Sequence, residues 1–457
     1  MTNSKATPVL KQAGQYNMGY ILTISMISAL GGLLFGFDIS VISGAIPFLK
    51  QVFNLSGSSL GWAVSSALIG CIFGPFIAGT PSDKFGRRNM LVLCAIFLGV
   101  SAVGSGMANS LTSFFIYRFI GGLGVGMAST LSPVYIAEVS PADIRGKFVS
   151  LNQLTIVIGI LIAYFTNYLL VGIGPNNWRW MFASEAFPAV IFLGALFFVP
   201  ESPRWLYKKK RDDEAFDILT KIAGSDYAKK VSGEIKKTLN NEEKGSFREL
   251  MHPSLRFVMI IGILLAILQQ WCGINVIFFY APVIFQKTGI GINSSLFQTI
   301  IIGVVNLTFT IVAMRLIDKV GRKKLLLIGS AGMVITYILI GACFFFNFLH
   351  GIHVLILILM TIAFYATSLA PVVWVLISEI YPNRIRGEAM SIATFFLWVA
   401  SFVLTLTFPI LEEHVGESYT FWLYAAICLL GWLFIFRYVP ETKGKSLEEL
   451  EEELIHS

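Results

Sequence analysis

The chain has 457 residues, of which 55% are hydrophobic and only 13% are charged, and its mean hydropathy is +0.73. Soluble domains carry about 25% charged residues, so this composition excludes a soluble enzyme and indicates a protein that lies mostly in lipid. The formal net charge of +7 does not indicate a nucleic-acid partner, because the basic residues lie in short loops beside apolar runs.

Apolar runs long enough to cross a bilayer follow one another along the whole chain. A transmembrane helix needs about 20 apolar residues, and such runs predict six spans in each half. In the first half the predicted spans are residues 18–47, 60–80, 89–108, 112–134, 150–173 and 181–199. In the second half they are residues 256–285, 296–317, 323–346, 352–378, 388–411 and 419–438. The sequence therefore predicts an all-α membrane protein with twelve transmembrane helices.

Basic residues between the spans alternate from one side of the membrane to the other. Lys84, Arg87 and Arg88 lie between spans 2 and 3, Arg145 lies between spans 4 and 5, and residues 319–324 follow span 8. The alternate loops carry almost no Lys or Arg. Since basic loops stay in the cytoplasm, both termini are predicted to be cytoplasmic in a multi-pass protein of the inner or plasma membrane. No signal-peptide cleavage site is evident, so the first span is expected to remain in the mature protein.

One long polar segment separates the two halves. It contains the basic cluster 208–211, and we predict a cytoplasmic linker with short helices there. The predicted units are an N-terminal six-helix unit at residues 1–200, the linker at 201–255, a C-terminal six-helix unit at 256–440 and an acidic cytoplasmic tail at 441–457. In the tail, Ser446 is the predicted N-cap of a short helix.

Three charged turns occur twice in the same order. The segment 138–146 returns as 379–387, the segment 83–88 returns as 318–323, and the segment 200–204 returns as 440–444. The copies keep nearly the same spacing, so the second half repeats the first. Internal repeats between apolar runs are typical of secondary transporters.

One carboxylate interrupts the first apolar run. Asp38 follows the apolar residues 31–37, and an ionised side chain at membrane depth costs at least about 2.5 to 3.5 kcal/mol unless water or a partner compensates it. Arg118, near the start of span 4, is the one cation within a first-half span at comparable depth. Arg118 is therefore the candidate partner of Asp38.

Several motifs together resemble the sugar porter branch of the major facilitator superfamily. They lie in register along essentially the whole chain, at residues 79–88, 118–126, 133–138, 200–204, 269–275 and 440–444. Within that branch, residues 151–153 and 178–185 are most similar to the bacterial xylose/proton symporters and related glucose transporters. The resemblance implies two six-helix bundles with cytoplasmic linker helices, and alternating access around a central site.

The resemblance also places Arg118 beside Asp38. A carboxylate held by an arginine stays ionised, whereas loss of that partner in a desolvated pocket raises its proton affinity. Asp38 and Arg118 are therefore predicted to couple proton movement to a conformational change. A fixed structural ion pair is the alternative that the sequence leaves open.

The other repeated charges lie at the cytoplasmic ends of the spans, where salt bridges could hold the two bundles closed on the inside. The predicted gate residues are Asp83, Arg87, Arg88, Glu138, Arg145, Glu201 and Arg204 in the first half, and Asp318, Arg322, Glu379 and Arg386 in the second. For neighbouring loop charges such as Lys84, Lys319 and Lys324, a role in topology alone is the alternative.

A sugar presents hydroxyls on every edge and apolar C–H faces, so its site needs amides and an aromatic ring. At positions that contact substrate in the family, this chain has Gln153, Gln269, Gln270, Asn275, Asn306, Trp374 and Trp398. Helix–helix hydrogen bonding explains a single buried amide, but five at such positions indicate a monosaccharide site. Ile160 stands where the xylose transporters have an amide, so pentose and hexose both remain open.

The sequence thus predicts a proton-coupled monosaccharide symporter that works as a monomer in the lipid bilayer, and not an enzyme. No cofactor, metal or nucleic-acid partner is expected, because the five Cys lie in apolar runs without metal-ligand spacing and the five His form no cluster. The nearest alternative is a facilitative sugar uniporter. A non-transporting sugar sensor and a drug efflux carrier are further alternatives.

Overall fold

The computed structural model describes residues 16–240, 252–348, 351–382 and 385–443, without the side chains of residues 240, 253, 254 and 318. The helices of the first half are α1 (Met18–Val52), α2 (Gly57–Phe85), α3 (Arg87–Met107), α4 (Leu111–Val139), α5 (Arg145–Leu170), α6 (Asn177–Ala183) and α7 (Ala186–Leu196). The linker contains α8 (Pro203–Lys208) and α9 (Asp212–Asn240). The helices of the second half are α10 (Pro253–Trp271), α11 (Ile274–Gln286), α12 (Ile292–Val320), α13 (Arg322–Phe345), α14 (Gly351–Thr367), α15 (Leu369–Ile380), α16 (Arg386–Val415) and α17 (Glu417–Tyr438).

Twelve helical segments within these ranges are long and apolar enough to cross a membrane. They confirm the twelve predicted spans, with bounds that differ by several residues: α1 continues to Val52, and span 6 begins at Asn177. The predicted linker helices are also present as α8 and α9. The predicted tail helix with Ser446 lies outside the described residues.

Three spans that were predicted as single helices are broken near their middle. Span 6 is interrupted between α6 and α7, where Pro188 has no N–H to donate to the carbonyl of Ser184. Span 10 is interrupted at Ser368, between α14 and α15. There Pro371 removes the donor for the carbonyl of Thr367.

Span 7 is interrupted by a glycine turn between α10 and α11. Gly273 has a φ of 84°, in the left-handed region that only glycine adopts without strain. A Cβ at this position would also lie 2.8 Å from the ring of Tyr424. Breaks in membrane helices expose backbone carbonyls, which are tolerated where they face protein or a polar cavity.

The helices pack in the same order in both halves. In the first half α1 packs on α5, and α2 packs on α4. In the second half α10 packs on α16, and α12 packs on α14. These pairs join the first with the fifth span and the second with the fourth span of each half, so the sequence repeat is also a structural repeat.

The linker helices pack on the first half and mark one end of the molecule, which we call the linker end. Asn17 donates its backbone N–H to the carbonyl of Ile222 at 2.8 Å, and Lys208 Nζ lies 2.7 Å from Asp83 Oδ2. The opposite end is called the far end. The N-terminus of α1 and the C-terminus of α17 are both at the linker end.

The two halves touch along α2 and α16, α5 and α12, and α1 and α11. At the far end, a Cβ at Gly61 of α2 would overlap the carbonyl oxygen of Leu406 on α16. A Cβ at Gly57 would overlap the carboxylate of Glu413. Tyr164 of α5 donates its hydroxyl to the carbonyl of Phe278 on α11 at 2.8 Å. Small residues thus allow close contact between the halves at the far end.

Candidate functional site

A buried ion pair joins α1 to α4. Asp38 and Arg118 are 0% and 1% exposed. Arg118 Nη1 donates to Asp38 Oδ1 at 2.7 Å, and Nη2 donates to the Asp38 backbone carbonyl at 3.1 Å. The guanidinium also lies over the ring of Phe182, 5.4 Å from its centroid. The structure therefore brings together the two residues that the sequence suggested as partners.

A second buried carboxylate lies beside this pair. Glu185 stands at the break between α6 and α7 and is fully buried. Electrostatic interactions connect it with both Asp38 and Arg118. Among the described residues, neither Glu185 oxygen has a hydrogen-bond partner, and Asp38 Oδ2 and Arg118 Nε also lack one. We refer to Asp38, Arg118 and Glu185 as the ion cluster.

The charges of the ion cluster do not cancel. With both carboxylates ionised, the guanidinium of Arg118 neutralises only one of them. An uncompensated charge in a protein interior costs several kcal/mol, and one bound proton would make the cluster neutral. Asp38 Oδ2 and the two Glu185 oxygens are available to hold that proton, so the arrangement favours binding of a single proton.

In the second half, three amides form a connected network at the break in span 7. Gln269 Nε2 donates to the carbonyls of Leu369 and Ala370, at 2.9 and 3.0 Å. Gln270 Oε1 accepts from Asn275 Nδ2 at 2.5 Å, and Gln270 Nε2 donates to Gln269 Oε1 at 3.4 Å. The break in span 10 supplies the two carbonyls, so two interrupted helices meet at this network.

Asn275 extends the network to α16. Its Nδ2 also donates to Ser401 Oγ at 2.9 Å. Asn275 itself is only half-buried, whereas Gln269 and Gln270 are 2% and 7% exposed. Amides that hold one another in this way are oriented before any ligand arrives.

The two predicted aromatic residues lie on the helices around the network. Trp398 on α16 is buried, and its ring contacts Phe35 of α1 across the two halves, with ring centroids 5.8 Å apart. Trp398 Nε1 has no hydrogen-bond partner among the described residues. Trp374 on α15 is half-buried. An indole N–H without a partner is a free donor for a polar ligand.

Two predicted sugar contacts are not joined to this network by the hydrogen bonds of the described residues. Gln153 on α5 is half-buried, and Asn306 on α12 is 4% exposed. Their helices pack against each other where the two halves meet. These two, like the other predicted sugar contacts, stay predictions.

The predicted gate residues of the first half surround Arg87 at the linker end. Arg87 Nη1 lies 2.9 Å from Asp83 Oδ1, while Nε and Nη2 donate to the two oxygens of Glu138 at 3.1 and 3.2 Å. Glu201 Oε1 accepts from the backbone N–H groups of Arg87 and Arg88 at 2.9 and 3.2 Å. Burial raises the pKa of the Glu201 carboxyl, although these N–H donors act to lower it.

The second half repeats this arrangement around Arg322. Arg322 Nη2 lies 3.0 Å from Glu379 Oε1, and Glu441 Oε1 accepts from the Arg322 backbone N–H at 2.9 Å. Thr442 Oγ1 donates to the other Glu379 oxygen at 2.5 Å. The carboxylates that bind Arg87 and Arg322 belong to the same half as each arginine, so these pairs connect helices within one half.

The remaining predicted gate residues are at the same end. Arg88 donates to the backbone carbonyls of Leu196 and Phe197, and Arg386 donates to that of Tyr381. Arg145 and Arg204 are exposed at the starts of α5 and α8. The side chain of Asp318 lies outside the description.

Sequence reasoning missed Glu185 and Ser401 as members of the candidate sites. Glu185 carried a signal, because it is an acidic residue between apolar runs and the cost argument used for Asp38 applies to it equally. Ser401 carried none, because serines are common in apolar helices. No group of His, Cys, Asp and Glu able to hold a metal is found in the described ranges.

A buried cluster suited to one proton, a buried amide network and twelve membrane spans in two similar halves together define a secondary membrane transporter. The family model described as "Sugar (and other) transporter" matches residues 24–454. The chain belongs to this sugar transporter family.

Two curated relatives cover nearly the whole chain. The arabinose-proton symporter of Bacillus subtilis is 44% identical over 98% of this chain and 98% of its own. The D-xylose-proton symporter of Escherichia coli is 44% identical over 96% of each chain. These similarities confirm the family that the motifs suggested.

Solved structures of the E. coli xylose transporter XylE confirm the major facilitator fold. The inward-open conformation aligns with a TM-score of 0.85 and 43% identity, over 95% of this chain and 100% of that one. The proton:xylose symporter bound to 6-bromo-6-deoxy-D-glucose aligns with a TM-score of 0.81 and 44% identity, over 96% and 100%.

Proposed function

We propose that the protein imports a monosaccharide together with a proton across the plasma membrane, by alternating access between its two halves. The observation that carries this proposal is the ion cluster, whose excess carboxylate favours one bound proton inside a membrane domain. Relatives named as proton symporters of arabinose and xylose support it. The substrate is a pentose or a hexose, and the protein acts as a monomer.

The coupling step follows from the geometry of the ion cluster. Arg118 Nη1 donates to Asp38 Oδ1 at 2.7 Å, which holds α4 beside α1. One proton on Asp38 or Glu185 leaves Arg118 with a single ionised carboxylate, so binding of the proton changes which carboxylate holds Arg118. Proton binding and the position of α4 relative to α1 thus become linked equilibria.

We assign the sugar site to Gln153, Gln269, Gln270, Asn275, Asn306, Trp374 and Trp398. The amides of α10 and α11 are already held by neighbouring groups, so binding orders few side chains. Their remaining donors and acceptors match sugar hydroxyls, and the face of Trp398 or Trp374 matches the C–H face of the ring. The break in span 7 gives this region room to adjust.

The basic linker end is the cytoplasmic side in this proposal, which places both termini in the cytoplasm. The six-helix units are residues 1–200 and 256–440, joined by the linker at 201–255 and followed by the tail at 441–457. The gate residues around Arg87 and Arg322 brace the helices of each unit, and their carboxylates can exchange partners across the units when the linker end closes.

Uptake of labelled xylose, arabinose and glucose into proteoliposomes tests the proposal. We expect one of these sugars to accumulate above its external concentration when the outside is made acidic, and only to equilibrate without a proton gradient. Equilibration under both conditions would identify a facilitative uniporter. If no sugar enters or competes for binding, the monosaccharide assignment is wrong.

A further inference from the structure

Two buried hydroxyls on α3 lie beside the ion cluster, with Ser105 one turn nearer the far end than Ser101. Ser101 and Ser105 are one helical turn apart, and both are 0% exposed. Within the described part of the chain, neither hydroxyl oxygen has a hydrogen-bond partner. A buried polar group without a partner costs about 1 to 3 kcal/mol. Six other buried serines of the described residues also lack a partner, so it is the position beside the ion cluster that distinguishes this pair.

Ser101 reaches the ion cluster through a gap at Gly121 of α4. A Cβ at position 121 would overlap Ser101 Oγ and would lie 3.1 Å from Asp38 Oδ1. Because glycine has no side chain, no atom of residue 121 beyond its backbone stands between the hydroxyl and the carboxylate. The Ser101 hydroxyl and the Asp38 carboxylate therefore border the same small space beside Gly121.

The second half shows how such a hydroxyl is satisfied when no ion cluster is present. Thr336 on α13 stands eighteen residues after Asp318, as Ser101 stands eighteen residues after Asp83. Thr361 on the facing helix α14 donates its hydroxyl to Thr336 Oγ1 at 2.8 Å. In the first half, a glycine and a carboxylate face Ser101 instead, so the repeat is broken beside the ion cluster.

Ser105 lies in the last turn of α3, next to the far end. Ser101 and Ser105 are four residues apart, which places them on one side of the helix, and Asn109 follows in the loop after the helix has ended at Met107. Asn109 is exposed and lines a cavity of about 670 Å³. The rest of its lining is mostly apolar and includes Val100, Val103 and Met107. The two buried serines form a line within the first half, from the last turn of α3 to the side of Asp38.

We propose that Ser105 and Ser101 relay protons between the far end and the carboxylates of Asp38 and Glu185, apart from the route of the sugar. This proposal rests on the proposed function of proton-coupled transport. Ser101 Oγ gives its proton to a carboxylate oxygen and takes another from the Ser105 hydroxyl, which is reprotonated in turn by a hydronium ion at the far end, so that the hydronium ion becomes water. The hydroxyl is neutral before and after, and the carboxylate gains one proton. A hydroxyl suits this step because it both donates and accepts.

The variant Ser101→Ala removes the relay oxygen with little change in volume. We expect the initial rate of sugar uptake driven by an inward proton gradient to fall at least about tenfold, since a positioned proton-transfer group contributes about 10²- to 10⁴-fold. Sugar counterflow, which needs no net proton movement, should keep its rate. Ser105→Ala should show a smaller loss, and Ser101→Thr, which retains a hydroxyl, should restore driven uptake.

Ser330→Ala is the matched control, because Ser330 is a buried serine of α13 whose hydroxyl donates to the carbonyl of Leu326 at 2.6 Å. It should leave both rates unchanged. Driven uptake at the unmodified rate in Ser101→Ala would overturn the relay, and so would an equal loss of counterflow, which would indicate a structural role. If sugar uptake by the unmodified protein does not respond to the proton gradient, the proposed function is wrong. That outcome is distinct from failure of the relay, which is seen only in the serine variants.

Discussion

The substitution Asp38→Asn should convert the symporter into a carrier that only equilibrates sugar. The amide keeps an oxygen for Arg118 Nη1, which donates to Asp38 Oδ1 at 2.7 Å. It removes one negative charge, so Arg118 and Glu185 balance each other without a proton. The variant therefore has no need to bind the proton that drives accumulation.

The expected magnitude follows from the proton gradient. One pH unit supplies about 1.4 kcal/mol per proton, which sustains a sugar gradient of about tenfold if one proton moves with each sugar. The Asp38→Asn variant should give a ratio of about one in the same proteoliposomes, while sugar counterflow continues. Accumulation that persists in this variant would refute the role of Asp38.

Stability measurements separate this effect from unfolding. With Glu185 still present, Arg118 keeps a charged neighbour, so Asp38→Asn should change the unfolding temperature little. The double variant Asp38→Asn and Glu185→Gln leaves the guanidinium without any carboxylate in the ion cluster. Loss of the partner of a buried charge costs about 3 to 5 kcal/mol. If the single and double variants are equally stable, the charge count given for the cluster is wrong.

Three further predictions concern the amide network, the contact between the halves and the linker end. Gln269→Ala removes the donor to the carbonyls of Leu369 and Ala370. It should weaken sugar binding, measured by calorimetry, by about tenfold or more, because one polar contact is worth about 1.4 kcal/mol. The control is Asn89→Ala, which removes an exposed amide that donates to the carbonyl of Phe85, and an unchanged affinity in Gln269→Ala would remove Gln269 from the site. Gly61→Val should push α2 away from the backbone of Leu406 and lengthen the distance between spin labels at residues 58 and 415. The control Gly79→Val is on the same helix and has nothing near its Cβ position, so it should leave that distance unchanged. Equal distances in both variants would contradict the close contact. Arg87→Ala breaks the pair with Glu138, whose side chains are both 12% exposed, and should lower the free energy of unfolding by about 2 kcal/mol, less than for a fully buried pair. Loss of the exposed Lys236 pair with Asp212 should leave the thermal transition in place. Similar stability of both variants would show that the Arg87 pair contributes little.

Hydropathy was sufficient to predict the twelve spans, and the similar depth of two buried charges together with the family resemblance predicted the pairing of Asp38 with Arg118. Both depend on large energies: the cost of polar groups in lipid sets the spans, and the cost of an isolated charge demands a partner. The charged turns were recognisable because they occur twice. The repeat did not identify which charges pair: the prediction was of salt bridges between the two bundles, whereas Glu138 binds Arg87 within one half.

The helix breaks could not be predicted, because a window of about 20 residues averages over them. The breaks at Ser184 and Ser368 depend on single prolines whose effect is a kink in some helices and a full interruption in others. Glu185 was missed for the same reason, since its position at a break placed it near a predicted span boundary. The partners of Gln269 are backbone carbonyls of a distant helix, and the sequence offers no pattern that identifies them.

Glu201 and Glu441 also bear on how the chain folds. Each comes after the last span of its half and reaches back to the start of the third span, where it accepts the backbone N–H of Arg87 or Arg322. A polar contact between the end and the early part of the same half can form without the other half. During synthesis the first half can therefore be completed as soon as Glu201 has left the ribosome, before any helix of the second half exists. The duplicated glutamate thus makes each half a separate unit of assembly.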